Sequence, residues 1–199
     1  MKPKMSHETG SRVPTRTHIY EIPNSNVVFE MVECPNGLQV GKFMVTNTLY
    51  EAVMGTCPST VQAEAIELLA GNKGDTEQLR DYPVTDVSFW DAVEFCNKLS
   101  ESMGLTPVYK IEGTGDSRVL YEDTEANGFC LPTEQEWEYA AKGNENFKFA
   151  GSDKPEEVAW TAENSGGRIH KVGELQPNGF GIYDMSGNAW EWSSSPYKR

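Results

Sequence analysis

The most chemically suggestive segment of the chain reads DMSGNAWE, where two carboxylates flank a short loop of small residues. Asp184 and Glu191 carry the charges, and Gly187 and Ala189 lie between them. A loop of small residues can turn its backbone carbonyls inward, and Ca²⁺ prefers such a set of charged and neutral oxygens. The spacing predicts a calcium site, and the alternative is that both carboxylates only cap turns.

The cysteines and histidines show no comparable arrangement. No two cysteines have the spacing of a structural zinc site, and the histidines are scattered. Cys96 falls on the apolar stripe of a predicted helix, which indicates a core thiol rather than a nucleophile. The residues in question are Cys34, Cys57, Cys96, Cys130, His7, His18 and His170.

The charge balance excludes several classes of partner. The chain has 17 basic and 30 acidic residues, which gives a formal net charge of −13. Binding to phosphates or to an anionic membrane surface needs clustered Lys and Arg, so the sequence predicts no nucleic-acid partner. No run approaches the roughly 20 apolar residues of a spanning helix, and the amino-terminal segment lacks the apolar centre of a signal peptide. We therefore expect no membrane insertion, and the sequence leaves the localisation open.

The elements that must position the acidic loop are short. Residues 1–17 are polar and are predicted to form a flexible arm, with structure beginning at His18. The sequence PNG at 35–37 predicts a turn in a β-hairpin over residues 28–46. Capping residues and apolar spacing indicate helices over 46–55, about 60–70, from Ser88 past Leu99, and from Thr133 to about 142.

Between and after these helices the sequence is rich in turns, such as GTGDS, NSGG and PNGFG. Short helices, short strands and much irregular backbone predict an α+β domain. Long irregular loops need something to hold them, which strengthens the expectation of a bound cation.

Seven segments, taken in order, resemble the formylglycine-generating enzyme, or sulfatase-modifying factor, family. The resemblance covers about residues 28–195 and implies a C-type-lectin-like α+β domain over 18–199, stabilised by calcium. The segments are KFMVTNTLYEAVMG (42–55), PVTDVSFWDAVEFCNKLSE (83–101), GLTPVY (104–109), GFCLPTEQEWEYAAKG (128–143), EVAW (157–160), NSGG (164–167) and PNGFGIYDMSGNAWEW (177–192).

The resemblance also implies which atoms hold the metal. The family site uses the side chains at Asp184 and Glu191 and the backbone carbonyls at Gly187 and Ala189, and all four positions match. A second calcium loop of the family would fall near Asn164, where this sequence lacks the expected downstream Asp. The resemblance thus supports one calcium site and argues against the second.

The catalytic parts of the family match less well. Its oxidase members bind copper through a pair of cysteines that would lie beyond Arg199, and none of the four cysteines here matches that pair. A related branch uses an iron held by histidines, for which this sequence offers no triad. The resemblance implies that this sequence lacks the C-terminal third of the domain. The hairpin over 28–46 would then have an unpaired edge. Three alternatives stay open: the sequence is a fragment, the missing part comes from another chain, or the protein folds with a shorter arrangement.

The favoured hypothesis is a non-catalytic ligand-binding module on a calcium-stabilised scaffold, resembling variable proteins that are diversified by retroelements. Its ligand would be an unknown protein or carbohydrate, and Tyr183 and Trp192 are the candidate ligand-binding residues. Trp190 and Trp192 could instead pack in the core. The alternative is an oxygen-dependent formylglycine-generating oxidase, with copper only if the missing cysteine segment exists. A structural subunit of a larger assembly is a third, weaker hypothesis.

Overall fold

A computed structural model describes residues 14–59 and 80–195 of the chain. The helix expected over 60–70, and most of the amino-terminal arm, lie outside these residues. The elements in chain order are β1 (Arg16–Glu21), β2 (Val28–Glu33), β3 (Gln39–Gly41), α1 (Asn47–Met54), α2 (Phe89–Ser102), β4 (Tyr109–Glu112), β5 (Val119–Glu122), α3 (Glu134–Lys142) and α4 (Pro155–Val158).

The first three strands form an antiparallel sheet in the order β1–β2–β3. The hairpin predicted between β2 and β3 is confirmed: the Cys34 N–H donates to the Leu38 carbonyl over 2.7 Å, and Gly37 has a φ of +87°. β1 begins at Arg16, two residues before the expected start. The reason is that its first residue is in register with Glu33 at the far end of β2.

The helices begin where their capping residues predict. The Thr46 hydroxyl accepts from the Leu49 N–H at the start of α1. Ser88 and Asp91 form a capping box at the start of α2, and α3 begins with a second box at Thr133. These caps satisfy N–H groups that have no partner within the helix. No helix in the described part of the chain is long and apolar enough to span a bilayer.

Two groups of buried side chains hold the domain together. One joins α1 and α2 to the start of β4, and it includes Cys96, whose side chain is a core residue as predicted. The other joins β2 to α3 and to the segment from Phe180 to Met185. This second group fixes the acidic loop, because that segment leads directly into it.

The hairpin of β4 and β5 was not predicted by the sequence. The two strands are four residues each, and Val119 and Tyr121 are about half exposed on its outer face. The connection between the strands, residues 113–118, contains a 3-10 turn at Gly115–Ser117. The turn was visible in the sequence GTGDS, but such short strands lack the run of apolar alternation that identifies a half-buried strand. The α+β class is confirmed, with two small sheets and short helices among long loops.

Candidate functional site

The segment that leads into the acidic loop is organised by one buried asparagine. The Asn178 amide nitrogen donates to the Ala140 and Ala141 carbonyls at the end of α3, over 2.7 and 3.1 Å. Its amide oxygen accepts from the Phe180 and Ile182 N–H groups, at 3.0 and 3.2 Å. Both polar atoms of this side chain are therefore hydrogen-bonded, and these bonds anchor the turn at 178–182 to the end of α3.

Asp184 is the first of the predicted metal ligands, and its residue is 5% exposed. Its φ is +59°, a conformation that Asp adopts more readily than most residues. One carboxylate oxygen accepts from the Gly173 N–H over 2.8 Å. Burial raises the pKa of the Asp184 carboxyl, and the Gly173 N–H opposes that rise. The Asp184 carboxylate is thus buried in the loop with a hydrogen bond to one of its two oxygens.

Glu191 lies at the other end of the loop, with one oxygen accepting from the Trp137 Nε1–H over 3.1 Å. The residue keeps contact with solvent, yet enough protein surrounds its carboxyl to raise its pKa to about 7. The charge on Asp184 adds to the rise in this pKa, and the Trp137 hydrogen bond opposes it. The charge on Asp184 therefore affects the protonation of Glu191 across the loop.

The small residues allow the loop to approach a neighbouring segment closely. Gly187 has a φ of +83° and forms a bridge with Trp160. A Cβ at this position would overlap the Trp160 carbonyl. The next residue, Asn188, donates to that same carbonyl, and its side chain exchanges two hydrogen bonds with the His170 backbone. Glycine is required here by space as well as by φ.

The donor set of this loop suits a hard cation. Neither Asp184 nor Glu191 forms an ion pair with a Lys, Arg or His among the described residues. Within residues 14–59 and 80–195 no group of three or more His, Cys, Asp or Glu is placed to hold a metal. A cation here would therefore need the backbone carbonyls of Gly187 and Ala189 as well, which is the oxygen-only mixture that Ca²⁺ accepts.

The loop near Asn164 is arranged differently. The Asn164 side chain accepts from the Thr161 N–H at 2.6 Å and donates to the Ala159 carbonyl at 2.8 Å. Both hydrogen bonds of the Asn164 amide thus close a turn within residues 159–164.

The two predicted ligand-binding residues lie on one cavity. Tyr183 stacks on Phe43 with ring centroids 5.0 Å apart. Trp192 donates from Nε1 to the Val87 carbonyl over 3.1 Å, and its ring meets the edge of Phe89. Both line a cavity of about 310 Å³. Trp190, for which core packing was weighed, is fully exposed.

This cavity, hereafter the central cavity, was not predicted as such. Its walls come from β2 and β3, the connection at 43–46, helices α1 and α2, the segment 129–132, and the loop 183–192. The lining is mainly apolar, and its charged members among the described residues are Glu30 and Glu191. No local signal in the sequence locates this cavity, because its walls come from segments that are far apart in the chain.

The four cysteines are free thiols. Burial raises the pKa of Cys34, and it raises that of Cys96 to about 12. Cys130 is an exposed residue, but the protein around its thiol likewise raises its pKa. Raised pKa values disfavour thiolates, which are the form that binds soft metals.

Small sheets, short helices and long ordered loops around one acidic loop define a domain of the C-type-lectin-like, formylglycine-generating-enzyme type. The sequence pattern of the sulfatase-modifying factor enzyme 1-like domain matches residues 9–199. The chain belongs to this family.

Individual relatives agree with that assignment. The chaperone protein LppX of Paenibacillus barcinonensis is 35% identical over 79% of this chain and 63% of its own length. A formylglycine-generating enzyme of Mycobacterium tuberculosis is 35% identical over 40% of this chain and 33% of its own. The chain thus spans less than two thirds of these curated relatives. Among solved structures, Treponema denticola variable protein 1 is similar, with a TM-score of 0.72 and 29% identity over 89% of this chain and 76% of that one.

Proposed function

We propose that this chain is a non-catalytic ligand-binding domain whose central cavity holds the ligand and whose acidic loop holds a structural Ca²⁺. The observation that carries the proposal is the position of Tyr183 and Trp192. They come from opposite ends of the loop and line one apolar cavity of about 310 Å³. Cavities of roughly 300 Å³ or more with mainly apolar walls are typical of ligand sites.

The proposed metal and the proposed ligand site are directly connected. Tyr183 precedes Asp184, and Trp192 follows Glu191. Ca²⁺ would neutralise the two carboxylates and draw in the carbonyls of the small residues between them. Because the ligand-binding side chains adjoin the two acidic residues, an ordered loop holds both rings at the cavity wall.

Two observations support a non-catalytic role. Treponema denticola variable protein 1 shares the fold over 89% of this chain. The family also includes a bovine protein named as an inactive formylglycine-generating enzyme, 31% identical over 37% of this chain. The second candidate function, an oxygen-dependent oxidase, is favoured by the similarity to the Mycobacterium enzyme. It requires a reactive cysteine pair and copper, and none of the four cysteines of this sequence matches the pair of the family's oxidases.

The proposal is tested by the binding of an apolar dye, N-phenyl-1-naphthylamine, followed by its fluorescence. Ala92 lines the cavity, so Ala92→Met should fill part of it, and Tyr183→Ala should remove one wall. Each is expected to weaken dye binding by about tenfold, which corresponds to roughly 1.4 kcal/mol. Phe147→Ala is the control, because this exposed aromatic residue does not line the cavity. Equal binding by all three variants would contradict the proposal.

A further inference from the structure

We infer that the outer edge of β5 is a self-association surface, at which two copies of this chain pair antiparallel and join their β4–β5 hairpins into one sheet. The hairpin is a separate two-stranded sheet that shares no strand with the sheet of β1, β2 and β3. None of the described residues 100–128, which include both of its strands, lines the central cavity. The surface therefore serves a function distinct from ligand binding in that cavity.

The hydrogen bonds of β4 show which main-chain groups of β5 point outward. The Tyr109 N–H donates to the Asn97 side-chain oxygen over 3.1 Å, and the Asn97 amide nitrogen donates to the Tyr109 carbonyl over 2.7 Å. Both main-chain groups of Tyr109 thus point away from β5. In the register of the hairpin, Tyr109 is opposite Glu122 and Ile111 is opposite Leu120. Opposed residues of antiparallel strands exchange both hydrogen bonds or neither, so the main-chain groups of Leu120 and Glu122 point away from β4.

These outward groups form a free strand edge. Among the described residues, no group forms a hydrogen bond with the main-chain N–H or C=O of Leu120 or Glu122. The side chains of Val119 and Tyr121, on the outer face of the same strand, are 48% and 50% exposed. An edge with unpaired donors and acceptors is a template for another extended strand.

Opposite charges lie at the two ends of this edge. Arg118 and Glu122 are both exposed, two residues before and two residues after Leu120. The Arg118 guanidinium lies over the Trp90 ring, 4.5 Å from its centroid. Neither Arg118 nor Glu122 belongs to an ion pair in the described part of the chain. Each of the two charges is therefore available to a group on another molecule.

The segment Arg118-Val119-Leu120-Tyr121-Glu122 is complementary to a second copy of itself in one register. Because main-chain groups alternate in direction, two antiparallel copies can bond in registers centred on Arg118, Leu120 or Glu122. The first register places two arginines opposite each other and the third places two glutamates opposite each other, which is destabilising. The register centred on Leu120 places Arg118 of each copy opposite Glu122 of the other, and Val119 opposite Tyr121. Opposite charges and pairs of an aromatic with a β-branched residue stabilise such contacts, so a second copy is the partner that fits.

The experiment measures self-association by sedimentation velocity over a range of protein concentrations. Glu122→Arg would place two arginines opposite each other at both ends of the interface, and Arg118→Glu would place two glutamates there. We expect each single variant to dimerise at least about tenfold more weakly than the wild type. An equimolar mixture of the two single variants should form heterodimers, and the double variant, which keeps the net charge of the wild type, should regain homodimers. The control Glu125→Arg makes the same charge change as Glu122→Arg outside β5, and should dimerise within about twofold of the wild type.

Several results would overturn the inference. A wild type that stays monomeric up to about 1 mM would do so, whether or not the edge binds a different protein. Dimers that neither single variant weakens would place the interface elsewhere, and so would a mixture that stays monomeric although both variants are folded by circular dichroism. Glu122→Arg makes the chain less negative, so a general repulsion between copies does not explain a loss of dimers in this variant. If Arg118→Glu fails to fold without its contact to Trp90, Glu122→Arg and its control decide alone.

Discussion

Two adjoining turns of one segment differ in how their polar groups are satisfied. In the turn at 178–182, a single amide makes four hydrogen bonds and no charge is buried. In the loop at 184–191, the Asp184 and Glu191 carboxylates each accept one hydrogen bond, and the charge on Asp184 helps to raise the pKa of Glu191. Asp184 is buried, and burying its carboxylate without a counter-charge is costly. The hydrogen bonds of the first turn are complete without any ligand, whereas we propose that a cation completes the second.

The turn at 178–182 offers the largest expected effect. Asn178→Ala removes four hydrogen bonds of a residue that is 2% exposed. At roughly 1 kcal/mol for each bond, we expect a loss of about 4 kcal/mol in the free energy of unfolding, with or without calcium. Urea denaturation measures it. Asn36→Ala is the control, because Asn36 makes a similar hydrogen bond in an exposed turn. Similar losses for both variants would contradict the role of Asn178.

Substitution of two glycines distinguishes the cost of backbone strain from the cost of steric overlap. Gly181 and Gly187 both have a φ of +83°, but only the second would bring a Cβ onto a neighbouring carbonyl. Gly181→Ala should cost about 1 kcal/mol from strain, and Gly187→Ala about 2–3 kcal/mol because strain and overlap add. Thermal unfolding of the two variants gives the comparison. Equal costs would show that the loop does not press against Trp160.

The pH dependence tests the charge on Glu191. Its pKa in the folded protein is raised to about 7, above the value of an unfolded glutamate. The protonated form is therefore favoured by folding, so the contribution of Glu191 to stability without calcium should be fully present below about pH 4.5 and be lost as the pH rises through 7. Melting temperatures from pH 5 to 8, in chelator, should decline more steeply in the wild type than in Glu191→Gln. Parallel declines would show that Glu191 contributes nothing to this dependence.

Saturating calcium should remove most of that decline, because the metal stabilises the ionised carboxylate. Repeating the same series with calcium provides the check. A decline that persists unchanged would mean that Glu191 does not hold the ion.

The two exposed tryptophans give the smallest expected effect. Trp190 is fully exposed, so Trp190→Ala should change the free energy of unfolding by less than about 0.5 kcal/mol. Trp192→Ala should cost about 1 kcal/mol, because its ring donates to Val87 and packs on Phe89. Chemical denaturation distinguishes them. A larger cost at Trp190 would show that its ring has a packing role.

The sequence predicted those features whose cause lies within a few residues. The caps at Ser88 and Thr133 and the turn at 35–37 are local, and each is confirmed. For α1 the sequence offered Thr46 or Thr48 as the cap, and Thr46 is the one used. The role of Asn178 was not predicted beyond a turn, because its partners on α3 are 37 and 38 residues away. The central cavity could not be predicted for the same reason, since its walls come from most parts of the chain.

The central claim is that a cation completes the acidic loop. The most direct measurement is a calcium titration of chelator-treated protein, followed by the melting temperature, for the wild type and Asp184→Ala. We expect a saturable rise in the melting temperature of the wild type, equivalent to about 2.7 kcal/mol at a hundredfold excess of calcium over the dissociation constant, and no rise in the variant. An unchanged wild-type melting temperature, or an equal rise in Asp184→Ala, would contradict it.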